Sequence, residues 1–305
     1  MLPILLLALF LLQAVLALPA SAINEDSYDL STSTHAVRNT PEGIWQPPLG
    51  IGWEIVLLSP PTTYDDKIPI YDIDLWDNPK ETVDNRHAKR QKVVCYFSAG
   101  TWESWRPDAG QFPDEVLGNK LGRWSRGRNV ERWLDIRADI VRTAMSARTA
   151  KAHEQGCDAV DPDNVDIHDN DNGFPLTAHD SLDYVQWLIT ESHSRGMAFG
   201  LKNAADLLPS LMANVQFAVN EECALKGDCL LYERFVAAGK PVLHIEYPKG
   251  DDSNNDSVPV EQMAAACAFM RSHRFSTLIK NMDLDEWVQH CQTGVTPVHT
   301  GQYLN

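Results

Sequence analysis

Six short apolar runs in this chain end in polar or charged residues spaced two apart, and that ending constrains the fold more than any other feature. The clearest is Cys157-Asp158-Ala159-Val160-Asp161-Pro162-Asp163-Asn164. The others are Tyr71-Asp72-Ile73-Asp74, Tyr96-Phe97-Ser98, Gly200-Leu201-Lys202, Val219-Asn220-Glu221 and His244-Ile245-Glu246. Side chains on a strand alternate faces with period two, so each polar series points one way. Where parallel strands close into a barrel, polar groups gathered at their carboxyl ends build an active site. The pattern predicts an enzyme, with acidic residues as its first suspects.

Strands are expected at 53–58, 69–75, 92–98, 157–163, 198–202, 217–221, 241–246 and 277–280. Helical stripes fill most of the gaps. Ile140, Val141, Ala144, Met145 and Arg148 recur at the helical period before Gly156. Leu182, Val185, Leu188 and Ile189 do so before Gly196, Leu231, Phe235 and Val236 before Gly239, and Met263, Cys267 and Met270 before the last strand. Eight strands alternating with helices in one chain predict a (β/α)8 TIM-like barrel, a single α/β domain. Two gaps stand out. The stretch with Pro60, Pro61 and Thr62 is too short for a helix, and the stretch after the third strand is long. That long region carries Trp102, Trp105, Trp124 and Trp133 and is expected to shape the cleft. A doubly wound open sheet is the competing fold, but no glycine-rich phosphate turn follows the first strand.

The chain has 305 residues and a formal net charge of −16, so the basic face that nucleic-acid binding needs is missing. An acidic field suits a cationic or neutral ligand. Residues 1–22 read as a secretory signal peptide, an apolar core ending at Ala20-Ser21-Ala22, and 23–44 as a poorly ordered lead-in to a catalytic domain over 45–305. No later segment is long and apolar enough to cross a membrane, and the sequence assigns no oligomeric state. Secretion makes disulfides plausible for the six cysteines. Cys223 and Cys229 bracket a short loop and are expected to close it, and Cys267 and Cys291 are placed to pair. Cys95 and Cys157 fall on opposite faces of their strands and read as buried thiols. No cysteine or histidine spacing suggests zinc. Asp166, Asp169 and Asp171 have alternate spacing, but their loop lacks the glycine and glutamate of an EF-hand, so no metal and no cofactor are expected.

Alternation places the polar residues one strand at a time. Asp72 and Asp74, Tyr96 and Ser98, Asp161 and Asp163, Lys202, Glu221, and His244 with Glu246 are all expected to face inward, with Leu243 and Ile245 meeting helices and Glu222 turned the other way. Crowded carboxylates suit glycoside hydrolysis, in which one carboxyl protonates the leaving oxygen while another attacks or activates water. Crowding also drives their pKa values apart. Trp102 and Trp105 are candidate sugar-stacking platforms.

The runs Tyr71-Asp72-Ile73-Asp74-Leu75, Val94-Cys95-Tyr96-Phe97-Ser98-Ala99-Gly100, Trp133-Leu134-Asp135-Ile136-Arg137, Gly156 to Asp166, Gly200-Leu201-Lys202-Asn203 and Asn220-Glu221-Glu222-Cys223 resemble glycoside hydrolase family 114, the endo-α-1,4-polygalactosaminidases and their relatives. The resemblance implies a TIM-like barrel and a secreted, endo-acting, retaining hydrolase of α-1,4-linked galactosamine-rich polysaccharide. It matches the family's carboxylate pair to Asp163, as nucleophile, and Glu221, as general acid/base. Asp72, Asp74, Tyr96, Ser98, Trp102, Asp161, Asn164, Lys202 and Glu246 are the expected substrate contacts. A barrel that binds carbohydrate without cleaving it is the alternative.

Overall fold

The computed structural model describes residues 43–122 and 129–291. The expected signal peptide, all but the last two residues of the lead-in, and Trp124 lie outside the described residues. The expected strands are present. They are β1 (Glu54–Val56), β2 (Ile70–Asp74), β3 (Lys92–Ser98), then, after three short strands β4 (Thr101–Glu103), β5 (Leu117–Lys120) and β6 (Glu131–Leu134), β7 (Ala159–Asp163), β8 (Ala198–Lys202), β9 (Phe217–Glu221), β10 (Val242–Glu246) and β11 (Ser276–Lys280). A further strand, β12 (Val288–His290), runs antiparallel to β11. The large sheet has the order β1-β2-β3-β7-β8-β9-β10-β11-β12, parallel throughout except at β12. The TIM-like α/β class therefore holds, with one strand more than expected. The sheet curls so that its two ends meet through side chains and loops. Trp53 Nε1 donates to the Ser276 carbonyl at 2.7 Å, Lys280 Nζ meets Glu54 Oε1 at 2.8 Å, and the Leu57 amide donates to the Leu284 carbonyl.

Helices cover the outside; α1 (Lys80–Ala88) buries only Val83, whereas the two longest each bury a continuous face. In α2 (Asp139–Gln155) the buried residues are Val141, Ala144, Met145, Arg148, Thr149, Ala152 and Gln155, and Gly156 stops the helix at φ +90°. The next helix, α3 (Ala178–His193), opens on a capping box. Thr177 accepts from the Asp180 amide while the Asp180 carboxylate accepts from the Thr177 amide. One core lies between sheet and helices and holds Ile73, Val93, Phe97, Val160, Phe199, Leu201 and Ala218. The second fills the barrel with Ile55, Ile70, Val94, Ala159, Ala198, Phe217, Val219, Leu243 and Ile245. Ile44, Trp45 and Ile51 close its lower end, so the packed body includes a residue assigned to the lead-in. Gly200 is dictated by this packing: a Cβ there would sit 2.4 Å from the Phe217 ring.

Three corrections follow from these two cores. Leu243 and Ile245 belong to the barrel interior, pairing in register with Val219 and Glu221. His244 and Glu246 consequently face the helix layer. They find partners there: His244 Nε2 meets Glu246 Oε1 at 2.8 Å, and Glu246 accepts the Ala224 amide at 2.7 Å. Cys95 and Cys157 are bonded to each other rather than being thiols. The period-two reasoning fails at Cys157 because β7 starts only at Ala159, so Cys157 belongs to the turn after Gly156. The expected Cys223–Cys229 and Cys267–Cys291 bridges are present.

The long region after β3 forms a three-stranded antiparallel sheet, β4-β6-β5, standing above the barrel mouth. Two arginines bolt it down. Arg106 grips Asp74 through both terminal nitrogens, at 2.9 and 2.6 Å, and Glu103 through Nε at 2.7 Å. From α2, buried Arg148 holds Asp108 by two hydrogen bonds and the Ser98 carbonyl by a third.

Candidate active site

Asp163 ends β7, Lys202 ends β8 and Glu221 ends β9, so three neighbouring strands deliver three charges to one rim. All three line a cleft of about 590 Å³ at the carboxyl-terminal mouth. Lys202 Nζ lies 3.4 Å from Asp163 Oδ1 and 3.5 Å from Glu221 Oε2, and is 5.5 Å from the Tyr96 ring centre. One buried ammonium thus bridges the two carboxylates that the sequence singled out.

Each carboxylate has its own phenol. Tyr96 Oη donates to Asp163 Oδ2 at 2.8 Å, and Tyr247 Oη donates to Glu221 Oε1. Burial, then the facing carboxylates, hold both phenols well above the usual tyrosine range, so they remain donors. Burial alone would lower Lys202, but Asp163, Glu221, Asp161 and Asp72 outweigh it and keep the ammonium charged. Burial likewise opposes ionisation of Glu221. Lys202, the Tyr247 hydroxyl and the Asn203 amide overcome it and leave Glu221 below its ordinary value. Asn203 contributes twice, donating Nδ2 to Glu221 Oε2 at 3.2 Å and accepting the Glu221 amide on Oδ1 at 2.9 Å.

The backbone at the mouth is bent to serve these groups. Asn164, Asn203 and Glu222 each follow the last residue of a strand, and each is left-handed, with φ of +59°, +48° and +65°. Asparagine tolerates that region and glutamate does so less readily, which marks a shaped rim. The turn brings Glu222 back to the cleft, contrary to expectation. Gly100 is required beside Asn164, because a Cβ there would lie 1.8 Å from the Asn164 carbonyl. The Ala99 and Gly100 amides both donate to the Asp163 carbonyl and hold its strand end still.

Other expected contacts sit elsewhere. Asp72 and Asp161 are fully buried below the cleft floor. Asp74 lines the cleft, but Arg106 and the amides of Trp76 and Asp77 saturate its carboxylate. Ser98 lies underneath and accepts from Asn164 Nδ2 at 3.0 Å. Trp102 turns its ring onto the core and its Nε1 to the Ala109 carbonyl, whereas Trp105, 42% exposed, lines the cleft. Glu246 is behind β10, as described above. Tyr247 and Asn203 were not anticipated. Each is the residue just past a strand end, and Asn203 also closes the Gly200-Leu201-Lys202-Asn203 run.

The upper wall is acidic. Among the described residues that line the cleft, nine are aspartate or glutamate and three are lysine or arginine. Burial pushes Asp166 up to about 6, helped by the charge of Asp163. Burial also pushes Glu131 up to about 8, against the hydrogen bond from Thr101.

Paired carboxylates on one ammonium at the carboxyl-terminal mouth of a curled parallel sheet define a barrel enzyme of the glycosidase type. The chain belongs to glycoside hydrolase family GH114, whose model matches residues 34–296. The crystal structure of Aspergillus fumigatus Ega3 in complex with galactosamine is similar to it at 47% identity and a TM-score of 0.79, covering 83% of this chain and 100% of that one. The glycoside hydrolase domain of PelA from Pseudomonas aeruginosa is similar at 13% identity and a TM-score of 0.57, covering 78% of this chain and 97% of that one. TtGalA, an alpha-galactosidase from Thermus thermophilus, is similar at 13% identity and a TM-score of 0.50, covering 80% and 59% respectively. The last two show the fold alone. No curated protein sequence matches the chain. The protein is a glycoside hydrolase.

Proposed function

We propose that the protein is a secreted, endo-acting hydrolase of α-1,4-linked, partly deacetylated galactosamine polysaccharide, working by retention with Asp163 as nucleophile and Glu221 as general acid/base. The observation that carries this reading is the shared ammonium. Its two contacts keep Asp163 Oδ1 and Glu221 Oε2 within about 7 Å of each other, close enough for both carboxylates to reach one glycosidic linkage. The acidic wall favours a polymer of protonated amines, and the 47% identical Ega3 holds galactosamine in its crystal structure. Trp105 is the stacking platform, and Lys202 and Asn164 are the polar contacts at the floor. The apolar segment at 1–22 and the three disulfides support secretion. No helix among the described residues is long and apolar enough to cross a membrane.

In the first step Asp163 attacks the anomeric carbon while Glu221 protonates the departing oxygen. Glycosylation removes the charge of Asp163. Of the working pair, Glu221 alone then faces Lys202 with a charge, which favours the ionised form needed to activate water in the second step. A second reading exchanges the roles, and the low ionisation range of Glu221 in the free enzyme favours it. Azide separates the two. Under the first reading, Glu221→Ala with azide yields a glycosyl azide of retained configuration, and Asp163→Ala yields the inverted azide. The opposite pairing would establish the exchange. Full hydrolysis by Asp163→Asn or Glu221→Gln would remove the assignment altogether.

A further inference from the structure

Asp72 on β2 and Asp161 on β7 lie one layer beneath the working pair, each fully shielded from solvent. They do not line the cleft, so neither touches substrate. Among the described residues, no donor reaches any of their four carboxyl oxygens. Asp161 Oδ2 lies 3.8 Å from Lys202 Nζ, on the side away from the cleft. We propose that Asp72 and Asp161 share a single proton, donated by Asp72, and that the resulting singly charged pair is the counter-anchor that positions Lys202 between Asp163 and Glu221.

The argument is one of charge and donors. Two ionised carboxylates side by side in a barrel core, with no hydrogen-bond donor, repel each other and are poorly solvated. Two neutral acids would leave Lys202 attracted only upward, toward the cleft. One proton between them resolves both problems. The Asp72 hydroxyl supplies the donor that Asp161 otherwise lacks, and Asp161 keeps the charge that faces the ammonium. The neighbouring charges agree with this division. The charged groups facing the pair are Lys202 from β8, Asp163 above Asp161 on β7 and Glu221 from β9, and the remaining titratable neighbour is Tyr96 from β3. Asp74 on β2 is neutralised by Arg106. Burial, then the charge of Asp161, hold Asp72 well above the ordinary carboxyl range; burial also pushes Asp161 up, to about 7, less far because Lys202 and the hydrogen bond from Asp72 restrain it.

The inference rests on Asp163 and Glu221 being the working pair, and the experiment keeps the two ideas apart. Asp161→Asn removes the negative charge beneath Lys202, so its field falls undiluted on Asp163 and Glu221. Both limbs of the kcat/KM profile then move to lower pH, by roughly half a unit or more. Asp72→Asn keeps a donor toward Asp161 and is expected to leave the profile where it was. Asp72→Leu removes the donor and should move the limbs as Asp161→Asn does. A role in folding alone would lower the melting temperature without moving either limb. Infrared difference spectra at neutral pH supply a readout independent of turnover: the protonated-carboxyl stretch should lose a component in Asp72→Asn. Absence of that loss, a stationary profile in Asp161→Asn, or a shifted one in Asp72→Asn, would each overturn the proposal. Full activity of Asp163→Asn would instead sink the assignment of the working pair and leave the spectroscopic result standing.

Discussion

The same parallel strands build two opposite ends of this barrel. At the amino-terminal end the inward positions are Ile70, Val94, Ala159, Ala198 and Phe217, closed from below by Ile44 and Trp45. At the carboxyl-terminal end the same alternation presents Asp74, Tyr96, Asp163, Lys202 and Glu221. The lower end gains from every side chain it hides. The upper end holds several charges out of water and pays for that arrangement in stability. The division predicts which end answers which experiment.

Phe217→Ala should have the largest effect, lowering stability in denaturant melts by about 3–5 kcal/mol, since the ring fills the space that Gly200 vacates. If that variant lost activity at unchanged stability, the division between the two ends would fail. Lys202→Met acts at the other end. It leaves the buried carboxylates without their cation and so lowers the melting temperature too, but its larger effect is on turnover: kcat/KM falls by about 10²–10³-fold, because the charge that organises both carboxylates is gone. Tyr247→Phe comes next, with a loss of about tenfold in kcat and little change in KM, since one donor to Glu221 is removed. An unchanged kcat would demote Tyr247 to packing.

The smallest effect sharpens the comparison by pH. The Glu131 carboxyl is pushed up to about 8 in the folded protein, chiefly by burial. An unfolded glutamate titrates near pH 4.3, so between about 4.3 and 8 the folded state binds more protons. Stability therefore falls as pH rises through that window, and the loss is complete above it. Glu131→Gln should flatten the curve: close to neutral near pH 4, and stabilising above pH 8. Parallel melting curves for the two proteins across that range would refute the burial argument.

The strands were legible in the sequence because apolar alternation is a local property. Helix ends were legible where Gly156 and Gly196 stop them. The inner face of β10 is not legible, because polarity at its end turns His244 and Glu246 inward and makes Glu246 a cleft group. They face the helix layer, where the Ala224 amide satisfies Glu246 and the Thr277 hydroxyl on neighbouring β11 meets His244. No strand periodicity encodes such distant partners. Cys157 was misplaced because alternation was extended two residues before β7 begins. The β4-β6-β5 sheet was read only as a long region, since its strands have three or four residues and pair across insertions. Trp102 and Trp105 look alike in sequence. Only the fold sends one to the core and the other to the cleft. Tyr247 and Asn203 escaped notice because period-two counting ends at the residue before each of them.

The Cys95–Cys157 bond ties the strand entering the upper sheet to the turn leading out of α2. Everything between them, including the wall formed by Glu103, Trp105 and Glu131, is therefore a covalent ring. A protease that cuts this ring once leaves a nicked but undivided molecule, whose two pieces stay fastened at the barrel. The most elaborate part of the architecture is thereby the part that best survives a single cut.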